Sequence, residues 1–199
     1  SCNDKDFQNL VDVYMDSVFN PNIYEREQIF KQEGWRYEIE EDELTINGVV
    51  YNEMKGAYSD VGSVLVHSMM EKLFPDTCYC HESGGAPANI PDLTYEQFVS
   101  EHAKYYHPSN SMIFLDGQVD LEGTLDFLDS VLSQYEKQEM VFPIPVQQPL
   151  PYAAYEIPYE IGAGEKTEGK TIVSRGKLLC GFDDPRTTLG AEILADYLS

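Results

Sequence analysis

Phe7, Leu10, Val11, Tyr14 and Val18 recur at three- and four-residue steps, which puts them on one face and predicts an amphipathic helix over residues 5–18. Asn20-Pro21 has the form of a helix start, with asparagine as cap and proline in the first turn. Ile23, Ile29 and Phe30 carry that helix to about Gln32. Residues 35–41 and 44–46 read as extended, with Asn47-Gly48 as a turn. Met54, Tyr58, Val61, Leu65 and Met69 predict one long helix over 52–73, weakened at Gly56 and Gly62 and ended before Pro75. Gly84, Gly85, Pro87 and Pro91 mark a loop. Thr94-Tyr95-Glu96-Gln97 is a capping box that opens a helix to about Tyr106. Residues 111–117 read as a short buried strand, and Asp120 caps a helix striped by Leu121, Leu125, Leu128, Leu132 and Tyr135.

Pro143, Pro145, Pro149 and Pro151 exclude a regular element from residues 139–151, which read as an extended linker. Beyond it, Ala153, Tyr155, Ile157, Tyr159 and Ile161 alternate as a strand, and Pro158 favours an edge position for it. Residues 171–182 predict a second strand. Asp183-Asp184-Pro185 then leads to a helix from Thr188 that reaches Ser199. Strands mixed with a central helical block predict an α+β class, with an antiparallel sheet packed against helices. No solenoid-type internal repeat is evident.

Composition narrows this picture. Of 199 residues 42% are hydrophobic, enough for a core of one or two domains. No apolar run approaches the roughly 20 residues that cross a bilayer, so a soluble chain without membrane partners is expected. Residues 1–20 carry aspartates and an amphipathic pattern, not the basic start and apolar block of a signal peptide. Thirteen Lys and Arg against 35 Asp and Glu give a net charge of −22, which repels nucleic-acid phosphates and excludes that partner class. The same surplus gathers basic peptides, and taken alone it also serves solubility.

Cys2, Cys78, Cys80 and Cys180 do not form a disulfide framework, so reduced thiols and a reducing compartment are expected, cytoplasmic in a bacterium. The compartment itself has no marker in the sequence. Cys78-x-Cys80 with His81 lacks a second cysteine pair at zinc-finger spacing.

The chemistry concentrates in Val49-Val50-Tyr51-Asn52-Glu53-Met54-Lys55-Gly56. It is followed in order by Ser83-Gly84-Gly85, Ile90-Pro91-Asp92-Leu93-Thr94 and Tyr106-His107-Pro108-Ser109-Asn110. With Gln32-Glu33-Gly34-Trp35, this ordered set resembles the insulinase/pitrilysin-type zinc metallopeptidases, in the branch that contains mitochondrial and bacterial presequence proteases. The resemblance covers most of residues 1–138 and is less distinctive over 152–199. It implies that Glu53 is the third protein ligand to zinc. The other two ligands and the catalytic base would come from a His-x-x-Glu-His helix, a pattern absent from these 199 residues.

A catalytic zinc needs three protein ligands and an open position for water, whose pKa it lowers towards ~7. With only Glu53 assigned, no catalytic residue is expected in this chain, and the chain alone is expected to be inactive. The resemblance further implies an α/β roll, truncated here at both ends. Residues 1–138 would be the latter part of a first domain, 139–151 the linker and 152–199 the beginning of a second, homologous domain. The expected function is part of a zinc endopeptidase that degrades unfolded peptides in an enclosed chamber, with peptide substrates and the rest of the same polypeptide as partners. The alternative is a non-catalytic relative that binds or scaffolds basic peptides.

The histidines do not replace the missing ligands. His67 and Glu71 lie four apart and predict a surface pair, His81 falls in a loop, and His102 and His107 are five apart, not the i, i+4 of a helical zinc site. Ser83-Gly84-Gly85 lacks the surroundings of a nucleophile elbow or a P-loop and reads as a tight turn beside the cavity, with peptide contact as a further use. No cysteine has a local nucleophile signature. Substrate-binding residues are not legible.

Overall fold

The computed structural model describes residues 3–181 and 183–198. They form seven α-helices and one two-stranded antiparallel sheet, an α+β chain. The elements are α1 (Asp4–Phe19), α2 (Glu27–Glu33), β1 (Arg36–Glu40), β2 (Glu43–Asn47), α3 (Val49–Ala57), α4 (Val61–Leu73), α5 (Tyr95–Tyr105), α6 (Leu121–Leu132) and α7 (Pro185–Leu198). Two compact units emerge, one of Ser1–Glu53 with Pro87–Pro143, the other of Met54–Ala86 with Ile144–Ser199.

In the first unit local caps set the helix ends. The Asn3 side chain accepts from the Asp6 amide at the start of α1, and the Asp120 side chain accepts from Gly123 at the start of α6. Thr94 and Gln97 make both bonds of the capping box on α5. Phe30 of α2 is buried against Tyr95 and Phe98 of α5, with ring centroids 6.3 and 5.5 Å away. The Trp35 indole donates to the Leu93 carbonyl at 2.9 Å and the Tyr95 hydroxyl donates to the Ile23 carbonyl at 2.5 Å, tying the residues on either side of α2 to the start of α5. Met15, Ile90 and Leu128 complete the buried apolar set of this unit.

Several elements differ from the pattern. Asn20 closes α1 instead of opening a helix, because its amide is already bonded to Asp16; one 3₁₀ turn (Asn22–Tyr24) intervenes before α2. The β1–β2 hairpin turns at Glu41-Asp42, both with positive φ (49° and 64°), the two-residue geometry that matches strand twist. Asn47-Gly48 instead joins β2 to α3. The expected helix over 52–73 is two helices, since the Asp60 side chain accepts from the Ser63 amide at 2.8 Å and caps a new start.

The expected strands at 111–117, 153–161 and 171–182 are not formed among the described residues, and Phe182 lies outside them. A strand takes its backbone hydrogen bonds from a neighbouring strand, and none is placed beside these segments. Met112 and Phe114 are accordingly 96% and 85% exposed, not buried.

In the second unit, residues 144–151 lack regular structure, as the prolines require, but are anchored. Gln147 accepts from the Asp76 amide at 3.0 Å and donates to the Asp76 carboxylate at 2.8 Å. Ser174 donates to Met69 of α4 at 3.1 Å, and Lys72 lies over the Tyr155 ring. Helix α7 starts at Pro185, three residues before the expected Thr188, with Ser199 outside the described residues. The Asp184 carboxylate accepts from both the hydroxyl and the amide of Thr187.

Those bonds, the Thr187 hydroxyl first and then the amides of Thr187 and Arg186, hold the Asp184 carboxyl below its ordinary value of 3.8. A depressed folded value contributes stability above the unfolded pKa, and that stability is lost as pH falls through the folded value. The amides of the first turn of α7 are therefore expected to lose exchange protection below about pH 3.8. Asp184→Asn, which keeps an N-cap acceptor without the charge, is expected to remove this acid dependence.

Candidate metal-ligand helix

Helix α3 begins one turn earlier than the pattern suggested. Gly48 is buried, the Asn52 amide bonds to its carbonyl at 2.9 Å, and the Tyr51 amide bonds to Gly34 at 3.3 Å. Glu53 consequently sits in the second turn of α3, not the first. Its side chain is exposed, whereas the next residue, Met54, is 8% exposed. Successive helical residues point about 100° apart, so burying Met54 turns Glu53 outward. The carboxylate makes no hydrogen bond or ion pair among the described residues.

The loop after α4 supports Met54. Gly85 has φ +88° and its amide bonds to the Glu82 carbonyl at 3.0 Å, closing a turn over Glu82-Ser83-Gly84-Gly85. A Cβ built on Gly84 would lie 2.3 Å from the Met54 sulfur, so any larger residue there would displace the Met54 side chain. The turn expected from Ser83-Gly84-Gly85 is present, and it packs on α3.

His67 of α4 does not pair with Glu71. Its Nε2 meets the Glu82 carboxylate at 2.5 Å, its ring lies 4.7 Å from that of Tyr58, and its Nδ1 is buried without a hydrogen-bond partner among the described residues. Glu71 pairs instead with Lys72. Burial, then the negative charges of Glu82 and Glu71, hold the Tyr58 phenol above its usual pKa. The sequence pattern missed this cluster, because Glu82 lies in a loop outside any helical spacing from His67.

The other histidines are engaged elsewhere. His102 bridges the Tyr24 hydroxyl (2.7 Å) and the Val18 carbonyl (3.0 Å) and stacks on Tyr106 at 4.4 Å. His107 accepts from the Ser109 amide, and His81 is exposed. Cys78, Cys80 and Cys180 are free thiols, the first two in a single 3₁₀ turn (Cys78–Cys80); Cys2 lies outside the described residues.

Among the described residues no group of three or more His, Cys, Asp or Glu is placed to hold a metal ion. Glu53 presents an anionic oxygen donor on a helix with no partner among the described residues, the donor type that one position of a zinc site takes. No helix of the described residues is long and apolar enough to cross a membrane.

A family profile described as "Peptidase M16 inactive domain" matches residues 92–199. Protein HypA of Clostridium perfringens is 46% identical over 203 residues, covering 100% of this chain and 21% of that protein. The mitochondrial presequence protease of Xenopus tropicalis is 45% identical over 98% of the chain and 20% of its own length. Presequence protease 1, chloroplastic/mitochondrial, of Arabidopsis thaliana is 44% identical over 68% of the chain and 13% of its own length. The chain thus spans about a fifth or less of these relatives. A profile matching more than half of its residues, together with these identities, places the chain in the M16 peptidase family, a family of metallopeptidases.

Proposed function

We propose that this chain forms part of a zinc-dependent endopeptidase that degrades unfolded peptides in an enclosed chamber, and that Glu53 is its contribution to the zinc site. The carrying observation is the Glu53 carboxylate, exposed on a helix whose next residue is buried and engaged by nothing else among the described residues. The presequence-protease names of the relatives support the substrate class. Bound zinc supplies Lewis acidity towards water and a peptide carbonyl. The chain's own part is to hold Glu53 at a fixed place on α3 and to present a surface of net charge −22 that concentrates basic peptides. Residues 1–138 belong in this reading to a first domain and 152–199 to a second, joined by 139–151.

The test is zinc content and peptide hydrolysis of the full-length parent carrying Glu53→Ala, where both are expected to be lost; wild-type values would refute the assignment. The isolated 199-residue chain is expected not to cleave peptides, since one carboxylate cannot hold a catalytic ion. Chelator-sensitive cleavage by that chain would contradict this. A second reading, a metal-free member that binds basic peptides, draws on the "inactive domain" description of the matching profile and on the acidic surface. A parent that lacks His-x-x-Glu-His but binds basic peptides in a salt-dependent manner would favour it.

A further inference from the structure

We propose that His67 and Glu82 are positioning residues for Glu53, acting through the Glu82–Gly85 turn and Met54; this rests on the zinc-ligand reading above. The contacts form a closed circuit. His67 on α4 holds Glu82, the first residue of the turn, at 2.5 Å. Two residues on, Gly84 lies against the Met54 side chain, so closely that any Cβ would overlap its sulfur. Met54 is joined to Tyr58 by the Tyr58 amide to Met54 carbonyl bond at 2.9 Å, and the Tyr58 ring returns to His67 at 4.7 Å.

The circuit therefore grips the C-terminal half of α3 from two sides, through the buried Met54 side chain and through Tyr58. A helix turns as a unit, so the azimuth of Met54 sets that of its predecessor Glu53. Nothing else in the described residues holds the Glu53 side chain, so its direction is decided by the helix that carries it. Among the described residues the His67 ring has Glu82 as its only hydrogen-bonding partner, since Nδ1 has none, so this contact holds the start of the turn that packs on Met54. Groups hydrogen-bonded directly to a ligand change metal affinity by ~10–100-fold when removed, and that range bounds the effect of His67 and Glu82, which act one contact further back.

The experiment uses the zinc-depleted full-length parent, with zinc affinity read by competition against a fluorescent chelator. Hydrogen exchange of the α3 amides is read on the metal-free protein. His67→Ala and Glu82→Ala are each expected to weaken zinc binding ~10–100-fold and to speed exchange at Met54–Tyr58, while His67→Gln, whose amide can still donate to Glu82, restores affinity to within about threefold. Two variants on different elements guard against one that fails to fold. Unchanged affinity in both alanine variants, with or without a lower melting temperature, overturns the positioning role and leaves the Glu53 reading intact. Unchanged affinity in Glu53→Ala overturns the ligand reading and this inference with it.

Discussion

Replacing Glu53 by glutamine in the full-length parent is expected to lower kcat/KM for peptide hydrolysis by on the order of 10³-fold while leaving the fold unchanged. A metal acting as Lewis acid supplies several kcal/mol of transition-state stabilisation, and about 4 kcal/mol corresponds to about 10³ in rate. Glutamine keeps the shape and helix propensity of glutamate but loses the anionic oxygen that zinc requires. Glu53 is exposed and without a partner among the described residues, so its replacement removes no ion pair among them, and unfolding stability should move by less than about 0.5 kcal/mol. That separation lets the experiment distinguish a metal defect from a folding defect. Glu53→Asp keeps the charge but withdraws it by one methylene, and an intermediate loss is expected. A kcat/KM within about threefold of wild type for Glu53→Gln would remove the ligand role.

Gly48→Ala is expected to destabilise the chain by about 3 kcal/mol, whereas Gly56→Ala, eight residues further on, is expected to stabilise it by about 0.5–1 kcal/mol. A Cβ at Gly48 would lie 2.1 Å from the Gly34 carbonyl oxygen and 2.7 Å from both the Gly34 carbonyl carbon and the Trp35 Cα. These are backbone atoms, which cannot turn aside as a side chain can. Relief requires parting the two segments, which also breaks the Tyr51 amide to Gly34 carbonyl bond at the start of α3. Gly56 lies inside α3 with nothing within 4 Å of a built Cβ, so alanine there only lowers the entropy of the unfolded chain and raises helix propensity. Chemical denaturation of the two variants checks the opposite signs. Equal stabilities would mean that Gly48 does not make the close approach.

The helices α1, α5 and α6 were readable because the signals that make them are local. A stripe at 3.6-residue spacing and an Asn, Thr or Asp whose side chain reaches an amide three residues on both act within one turn. The break between α3 and α4 was harder to read, since the apolar stripe runs through it. Asp60 decides the break by capping, against a pattern that would equally support continuous helix. Alternation over 153–161 and 171–182 was a weaker guide, because period-two patterning states which face is apolar and says nothing of whether a partner strand is adjacent.

By itself the sequence determined the α+β class, the capped helices, the acidic charge balance and, through the order of its motifs, the M16 family. All of these depend on residue type and short spacing. Only the tertiary structure decided that Glu53 faces outward, that Gly84 abuts the Met54 sulfur, and that His67 meets Glu82 and not Glu71. Each of these involves where separate segments come to rest. Helical periodicity relates residues three or four apart and carries no information about a loop fifteen residues away, so it could place His67 on a face but not name its partner.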